Sequence, residues 1–598
     1  MMDEKEIDFL VKKSTLLNAL KYNGKPQVKS VLGSIMADCK ELRPQAKEIK
    51  IKVEKEVERV EKLTIQVIKD ELASMGVESE EKKSRGPEEK ELPPLPGIKH
   101  VKKPTFRLAP YPSGPLHIGN ARMVVLNDEY AKKTNGKLIL CFDDTIGSTK
   151  KKREQEDSKA KYVLPEAYDM LRENLNWLGV KWHQEVFKSD RLDIYYEHCT
   201  NLIKEHYAYV CTCSTKDFKK LKDNKKPCPH RDQAIEENMG GWNKMQDGLF
   251  EEGEAVVRLK TGVDLPDPAL REPVIMRISD ATHPRVGTKY RVWPMLEFSW
   301  GIDDHLLEIT HIIRGKDLFK EDFIEEFIWD LMGWDKPHIL HYGMLRCEDG
   351  EKLSKTYARE QINKEIYSGW DDPRTWSLQS LEKRGIQPES LRKTLLSSGL
   401  SMTDIDFPYK VLYANNQKLI DPIANRYFFV ENPVILKISD VPKDSYVSRP
   451  LINPLEPKLG EREINISIKD GTKEILISRK DFQKIKKSKK YNFIRLKDLM
   501  NVEIIIETST AEAMAARYVS DDLEEAREKS YSIIHWVDCD VSNHCDVNII
   551  MPDGAVLKGK AEKNFIEVKV GSIVQFERFG FVRVNDIDKK GITAYLTH

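Results

Sequence analysis

Nine consecutive residues combine an imidazole, an amide and two glycines between a short apolar segment and an amphipathic one. They are Pro112-Ser113-Gly114-Pro115-Leu116-His117-Ile118-Gly119-Asn120. His117 and Asn120 stand three residues apart at a predicted helix start. There they can donate hydrogen bonds to phosphate oxygens, and the helix dipole also favours anions. Gly119 has no side chain, so a phosphate chain can approach the backbone closely. The pattern predicts a phosphate-binding turn.

Two lysines follow more than two hundred residues later, in Lys352-Leu353-Ser354-Lys355-Thr356. On a flexible loop, two ammonium groups three residues apart can stabilise negative charge that develops on a polyanion. Taken alone, the segment is also typical of a solvated charged loop. Its place after the phosphate-binding turn favours the functional interpretation.

A compact β-α-β unit is predicted to hold the first motif. A strand over 105–109 leads into the turn, a helix runs from about Ile118 to Lys133, and a second buried strand covers 138–142. Asp143 follows directly at the carboxyl end of that strand. Because ligands of parallel α/β sheets bind at this edge, we expect the turn and Asp143 to face one crevice.

The stretch from Val292 to Lys316 predicts strand, turn and strand, and its last strand ends in Arg314.

After about Asp421 the sequence pattern changes to one typical of β-strands. Alternating isoleucines at 464–468 and 475–477 flank Asp470-Gly471, which predicts a hairpin, and 547–551 with 556 onward predicts another. Several hairpins after an α/β body suggest one or two β-barrels.

The first ninety residues are charged and helical in pattern, and they end before the proline-rich segment Leu92-Pro93-Pro94-Leu95-Pro96-Gly97. An appended helical domain followed by a linker is one interpretation. A solvated, partly disordered extension is the other, and the sequence does not separate them.

Composition excludes several classes of protein. The 598 residues include 97 Lys plus Arg and 97 Asp plus Glu, so the net charge gives no sign of a polyanion ligand. No apolar run resembles a signal peptide or a membrane span. Nine cysteines without a secretory signal favour free thiols or metal ligands over disulfides. We therefore expect a soluble, cytoplasmic protein.

Two close pairs of metal-binding residues occur in the middle of the chain. Cys211 and Cys213 are followed by Cys228 and His230. Four sulfur and nitrogen ligands in two pairs suit a tetrahedral structural Zn²⁺, although the spacing is tighter than usual. Buried free thiols are the alternative.

Several further segments complete a pattern with the two motifs. These are Arg107–Pro110, Phe142–Thr145, Asp303–Leu307, Thr310–Lys316, Gly369–Arg374, Ile420–Ala424, Ile533–Val537 and Gln575–Phe581. With the HIGH-like turn and the KMSKS-like loop, the chain resembles the archaeal and eukaryotic glutamyl-tRNA synthetases of class I. The resemblance covers roughly Lys99 to the end, and the N-terminal helical region more loosely.

The resemblance implies a multidomain α/β fold with a Rossmann-type catalytic core. The implied order is an N-terminal helical domain and linker (1–98), the first half of the core (99–200) and an inserted acceptor-stem domain (201–285). The second half of the core (286–345), the lysine loop with a helical stem-contact region (346–415) and anticodon-binding β-barrels (416–598) follow.

The implied substrates are ATP with Mg²⁺, L-glutamate and tRNA. His117, Asn120, Lys352 and Lys355 would be catalytic, the lysines closing over the pyrophosphate. The implied ATP-binding residues are Pro112, Ser113, Gly114, Leu116, His117, Gly119, Asn120, Lys352, Ser354 and Lys355.

The resemblance implies that the enzyme binds and selects its amino-acid substrate through Arg107, Arg314 and Asp143. Both arginines are predicted at strand ends that face the crevice, and a guanidinium can bind a carboxylate through two hydrogen bonds. Asp143 matches the acidic residue that holds the substrate ammonium. The alternative for Arg314 is a structural ion pair with a neighbour such as Asp317.

Some positions depart from the family pattern. Asn120 replaces the last histidine of HIGH, and Cys141 replaces a common arginine. Ile146-Gly147 replace a common Asp-Pro or Asn-Pro pair, Leu296 replaces a frequent tyrosine, and Thr356 ends the lysine loop. The missing guanidinium at Cys141 puts the fine geometry of the amino-acid pocket in doubt. The nucleotide site is unaffected, since asparagine can still donate a hydrogen bond.

Alternatives remain open at this point. A glutaminyl-tRNA synthetase, or a synthetase-like RNA-binding protein without catalysis, would share much of the pattern, whereas a P-loop ATPase is disfavoured because its motif is missing. Charging of tRNA-Gln as well as tRNA-Glu, and protein partners of the N-terminal helices, are further possibilities. His535 and Trp536 can stack on an anticodon base, but Trp536 is more typical of barrel core, and the Thr149–Arg153 run is more typical of a solvated loop than of an RNA contact.

Overall fold

The computed structural model describes residues 4–21, 26–75, 91–146, 148, 150, 161–346, 354–487, 491–505, 513–589 and 591–598. Lys352, and all of the Thr149–Arg153 run except Lys150, lie outside the described residues. The chain divides into two compact units, Met1–Glu88 and Glu89–His598. No helix among the described residues has the length and apolar character that crossing a bilayer requires.

The N-terminal unit is built from four helices: α1 (Glu4–Lys21), α2 (Val28–Asp38), α3 (Ala46–Val60) and α4 (Ile65–Ser74). Its sequence has few large apolar groups, but they recur at helical spacing. Ile49, Val53 and Val57 of α3 are all buried, because residues three to four apart share one helix face. The appended helical domain is therefore the interpretation that the described residues support.

The core of the second unit begins with β1 (Thr105–Leu108), α5 (Ile118–Thr134), β2 (Lys137–Phe142), α6 (Ala167–Trp177), β3 (Gln184–Phe187) and α7 (Leu192–Lys204). β2 lies between β1 and β3, and all three strands are parallel. The predicted β-α-β unit agrees with these bounds to within one residue. Their carboxyl ends meet at one edge of the sheet, where a ligand is expected.

An inserted segment forms a separate antiparallel sheet. It contains β4 (Ala208–Cys211), α8 (Thr215–Asp223), α9 (Ile235–Gln246), β5 (Val256–Leu259), β6 (Val274–Ile278) and β7 (Val292–Pro294). Trp242 and Trp293 are among the largest fully buried side chains of this region.

A helix that the sequence did not predict is followed by a separate two-stranded parallel sheet. The elements are α10 (Leu296–Leu306), β8 (His311–Gly315), α11 (Phe319–Met332) and β9 (His338–Tyr342). The strand–turn–strand prediction for 292–316 is wrong in its middle part, because both faces of α10 pack into cores and its apolar residues show no single stripe. Hydrogen bonds between Thr105 and Thr310 join β1 to the start of β8.

A helical region links the core to the C-terminal sheets. It comprises β10 (Leu345–Arg346), α12 (Lys355–Asn363), α13 (Leu378–Arg384), α14 (Pro388–Ser397), β11 (Ile405–Asp406) and α15 (Tyr409–Ile420). A short antiparallel bridge between His117 and Ser377 ties it to the phosphate-binding turn.

The C-terminal part forms two seven-stranded sheets, each around its own core. Its elements are β12 (Asn425–Tyr427), β13 (Phe429–Glu431), β14 (Pro433–Ser439), β15 (Ser445–Ser448), β16 (Ile464–Ser467), β17 (Lys473–Ser478), α16 (Arg479–Lys487), β18 (Phe493–Leu496), β19 (Asn501–Ile505), β20 (Ala513–Ser520), α17 (Leu523–Glu528), β21 (Ser532–Ile534), β22 (Val537–Asp538), β23 (His544–Ile550), β24 (Val556–Glu562), β25 (Ile573–Phe576), β26 (Gly580–Asp588) and β27 (Gly591–Leu596). Together with the Rossmann-type core, these near-barrel sheets confirm the predicted multidomain α/β fold class.

One of the two predicted hairpins is wrong. β23 and β24 do pair antiparallel. β16 and β17, by contrast, are joined by the expected tight turn but belong to different sheets: β16 pairs with β15, and β17 with β14 and β22. Alternation fixes which face of a strand is buried, but it does not choose the partner strand.

Candidate active site

The turn at 112–120 and the start of α12, which carries Lys355, open onto one cavity of about 320 Å³. Its walls are Ala109, Pro110, Tyr111, Ser113, Leu116, His117, Asn120, Met123, Lys161, Lys355, Thr356 and Arg359. A larger cavity of about 670 Å³ lies elsewhere, between the start of α14 and the C-terminal sheet that contains β12 and β25. Size alone therefore does not identify the site, whereas the convergence of both motifs does.

His117 is the residue at which α5 begins. Its Nδ1 accepts a hydrogen bond from the Gly119 backbone N–H at 3.1 Å. Burial, assisted by the nearby Lys355 ammonium, lowers the pKa of His117 to about 3. The ring is therefore neutral at pH 7, and with Nδ1 accepting it carries its proton on Nε2. It can donate that proton in a hydrogen bond without adding a second positive charge.

Lys355 begins α12, where the Ser354 hydroxyl accepts a hydrogen bond from the Tyr357 backbone N–H. The Lys355 Nζ lies 3.1 Å from the Gly114 carbonyl oxygen and 3.5 Å from that of Tyr111. Burial lowers the pKa of Lys355 to about 7. A phosphate group entering the cavity would restore the charged form, because an anion favours a protonated amine.

The turn itself depends on one glycine conformation. Gly114 has φ of 138°, and a Cβ at this position would lie 2.9 Å from the Trp370 ring. Only glycine fits both the backbone angle and the space. The neighbouring Leu116 backbone N–H donates to the Asn174 side chain at 2.8 Å, which further fixes the turn.

Asn120 lines the cavity one helical turn after His117. Its Oδ1 is buried and has no hydrogen-bond partner among the described residues. Buried polar atoms are normally paired, so this unpaired acceptor points to a ligand that supplies a hydrogen-bond donor, whereas a phosphate oxygen would have to be bound by the Nδ2 hydrogens of the same amide.

Two further cationic residues, Lys161 and Arg359, line the same cavity, and the sequence did not point to them. The latter lies four residues after Lys355, a spacing that places both on one helix face.

Arg107 is buried on β1 and is already paired. Its Nη2 donates to Asp304 Oδ2 at 2.8 Å, its Nε donates to the other oxygen, and its guanidinium lies 3.7 Å from the centre of the Trp300 ring. Direct binding of glutamate by Arg107 stays a prediction, and it would use the donors that Asp304 leaves unoccupied.

Arg314 ends β8, as expected, but its guanidinium contacts two carboxylates of α11. Nη1 and Nη2 donate to Glu325 at 2.9 and 2.8 Å, and Nε donates to Asp322 at 2.9 Å. This is the structural ion pair that the sequence left open, although with these partners rather than Asp317. Glutamate selection by Arg314 stays a prediction and would require these carboxylates to yield.

Asp143 lies beyond β2, and its backbone N–H donates at 3.2 Å to the carbonyl oxygen of Pro110, which lines the cavity. Its Oδ1 lies 3.1 Å from the ammonium of Lys188, a fully buried residue that directly follows β3. Sequence reasoning missed Lys188. Its position after a strand of the same parallel sheet was the available signal.

The inserted sheet brings the four predicted metal ligands together. The Sγ atoms of Cys211 and Cys213 lie 3.5 and 3.4 Å from that of Cys228, and His230 Nδ1 lies 3.3 Å from Cys228 Sγ. All four ligand atoms fall within 4.8 Å of one another. The Cys228 thiol and the Arg258 guanidinium lower the pKa of Cys211. All described cysteines are free thiols.

Trp536 is barrel core. It is buried, and its Nε1–H donates to Lys497 O at 2.9 Å. His535 instead lines a small cavity of about 210 Å³, together with Glu577 and Arg578.

A parallel sheet whose strand ends hold a phosphate-binding turn, a lysine and buried ion pairs defines a nucleotide-binding α/β protein. Residues 104–422 match the catalytic domain of the tRNA synthetases class I (E and Q), and residues 424–519 and 533–585 match their anti-codon binding domains. The chain belongs to this family of class I aminoacyl-tRNA synthetases.

Three curated relatives, all glutamate–tRNA ligases, match along the whole chain. That of Methanopyrus kandleri is 40% identical and covers 100% of both chains. That of Pyrococcus furiosus is 41% identical over 99% of this chain and 100% of its own. That of Methanocaldococcus jannaschii is 42% identical over 98% of each.

Proposed function

We propose that this chain is a glutamate–tRNA ligase. The glutamate α-carboxylate attacks the α-phosphate of ATP and releases pyrophosphate, giving glutamyl-adenylate. A hydroxyl of the 3′-terminal adenosine of tRNA then attacks the activated carbonyl and releases AMP. The observation that carries the proposal is the single cavity that His117 and Lys355 share.

Phosphoryl transfer of this kind depends on positioning and charge neutralisation more than on covalent help. The His117 Nε2–H, the Asn120 amide and the α5 N-terminus would hold phosphate oxygens. Lys355, with Lys352 beside it in sequence, would neutralise charge that develops on the departing pyrophosphate. ATP would enter with Mg²⁺, which such sites bind mainly through the phosphates.

Glutamate-dependent exchange of labelled pyrophosphate into ATP tests the proposal. We expect exchange in the presence of purified tRNA-Glu, and glutamine should replace glutamate poorly. Exchange with glutamine alone would assign a glutaminyl-tRNA synthetase. Absence of exchange with either amino acid would leave a non-catalytic RNA-binding protein.

The tRNA partner is supported by the two anticodon-binding domains. Charging of tRNA-Gln in addition to tRNA-Glu is a finer proposal, which aminoacylation of both purified tRNAs decides. The N-terminal helices would serve as a site for protein partners. A cytoplasmic location follows from the proposed role in protein synthesis.

We further propose that Cys211, Cys213, Cys228 and His230 hold a structural Zn²⁺. Four of the six ligand–ligand separations are 3.3–3.5 Å, slightly shorter than the edge of about 3.8 Å that Zn–S bonds of about 2.3 Å give in a tetrahedron. The Thr212 hydroxyl lies 3.0 Å from His230 Nε2, which leaves Nδ1 for the metal. The ion would join the start of α8 to the loop that carries Cys228.

Replacing Cys228 with serine should remove about one Zn²⁺ per chain and lower the melting temperature, because metal binding contributes to folding stability. Metal content and thermal unfolding of the purified protein measure both effects. Cys545→Ser, at a half-buried cysteine outside the cluster, is the control and should keep its zinc. A wild-type protein purified without zinc and unaffected by added zinc would contradict the site.

A further inference from the structure

Lys188 is a fully buried lysine to which neither motif assigns a role. Its Nζ donates to Ser299 Oγ at 2.6 Å, lies 3.1 Å from Asp143 Oδ1 and lies 3.5 Å from the centre of the Trp300 ring. Burying an ammonium is costly unless it is paired. The one carboxylate that pairs with it belongs to Asp143, the residue expected to hold the substrate ammonium.

Strand register explains how the two residues meet. Phe142 pairs with Phe187 in the parallel β2–β3 ladder, so Asp143 and Lys188 continue the same register beyond the strand ends. The next pair is fixed as well: Asp144 accepts hydrogen bonds from the backbone N–H and the hydroxyl of Ser189 at 2.9 and 2.7 Å. The backbone that carries Lys188 is therefore held rigidly against the backbone that carries Asp143.

The charges around the crevice show why this lysine matters. Arg107 is neutralised by Asp304, and Arg314 by Asp322 and Glu325. Among the described residues, the carboxylate within ion-pair distance of Lys188 is that of Asp143, which lies at the crevice. Cys141, two residues before Asp143 on the same side of β2, provides no charge, so Lys188 is the cation that the sheet places directly beside the Asp143 carboxylate.

We propose that Lys188 is a positioning residue for the amino-acid substrate: its ammonium fixes the Asp143 carboxylate so that the remaining oxygen faces the substrate ammonium. This inference rests on the proposed function.

The test is the kinetics of Lys188→Met, which keeps the length of the side chain and removes its charge. In tRNA-dependent pyrophosphate exchange we expect the KM for glutamate to rise by about ten- to a hundredfold, as for loss of a charge-assisted contact. The KM for ATP should stay within about twofold, since the nucleotide cavity is unchanged. Lys188→Arg should recover most of the glutamate affinity.

Arg191→Met is the matched control. Arg191 lies three residues after Lys188, and its Nε donates to the buried Asp303 at 2.7 Å. Because the ion pair of Arg191 is with Asp303 rather than with Asp143, this variant should lower the melting temperature and change the KM for glutamate much less than Lys188→Met does. If Lys188→Met behaves like this control, with a lower melting temperature and an unchanged KM, Lys188 is only structural and the inference fails. If the wild-type protein shows no glutamate-dependent exchange, the proposed function fails first, and the inference with it.

Discussion

Lys355→Ala is expected to slow glutamate activation by about 100- to 1,000-fold, the cost of removing one electrostatic group that acts on the transition state. Folding should be unaffected. Within the part of the chain that the structure describes, the near partners of the ammonium are carbonyl oxygens, and burial lowers the pKa of Lys355 to about 7. Its charged form therefore opposes folding, and the melting temperature of the variant at pH 7 should equal or slightly exceed that of the wild type.

The same group predicts a pH dependence. In the free enzyme Lys355 loses its proton as the pH rises through about 7, so kcat/KM for ATP should fall on the alkaline side by up to about one decade per pH unit. The Lys355→Ala variant should lack this limb.

Lys364→Ala provides the control for Lys355, because Lys364 is an exposed lysine just after the same helix, paired with Glu360. It should leave activation rate and pH profile unchanged. A marked drop in melting temperature for Lys355→Ala, with activation preserved, would show that Lys355 is structural.

Arg314→Gln is expected to destabilise the protein by about 3–5 kcal/mol, because removing one partner of a buried ion pair leaves uncompensated charge. The carboxyl group left without a cation is that of the fully buried Glu325, whereas Asp322 keeps its contact with His341 at 2.9 Å. Chemical denaturation of the wild type and the variant measures the difference. The sequence pattern alone predicts a different result, at least tenfold weaker selectivity for glutamate, consistent with loss of a charge-assisted pair.

The pH dependence of this loss has a definite sign. Burial raises the pKa of Glu325 to about 7, although Arg314 opposes the rise. Without Arg314 the pKa should rise further. A carboxyl whose folded pKa exceeds its unfolded value destabilises the fold once the pH passes the unfolded value, since the unfolded chain then binds fewer protons. The variant should therefore be less impaired at about pH 5 than at about pH 8.

Two further variants separate the roles of Arg314. Arg314→Gln with Glu325→Gln should recover stability, because the pair is coupled. Lys316→Gln, which breaks the more exposed pair with Asp404, should cost about 0–1 kcal/mol. An unchanged stability together with lost glutamate selectivity would show that Arg314 binds the substrate directly. Unchanged selectivity would favour Arg107 for that role.

The sequence by itself determined the local parts of the site. The spacing of apolar residues and the glycine-rich turn placed β1, α5 and β2 within one residue of their observed bounds. The placement of His117, Asn120 and Lys355 could be predicted, because a turn, a helix start and a strand end each depend on a few consecutive residues, while their chemical roles stay predictions. The candidate metal site of three cysteines and one histidine was equally visible from its spacing.

Only the tertiary structure decided which of these groups are already paired. Arg314 is held by residues eight and eleven positions away on α11, and Lys188 reaches Asp143 across 45 residues because β3 pairs beside β2. The partners of β16 and β17 were decided in the same way. Periodicity tells which face of an element is buried, but pairing between distant segments depends on how all elements pack together, and no local pattern contains that information.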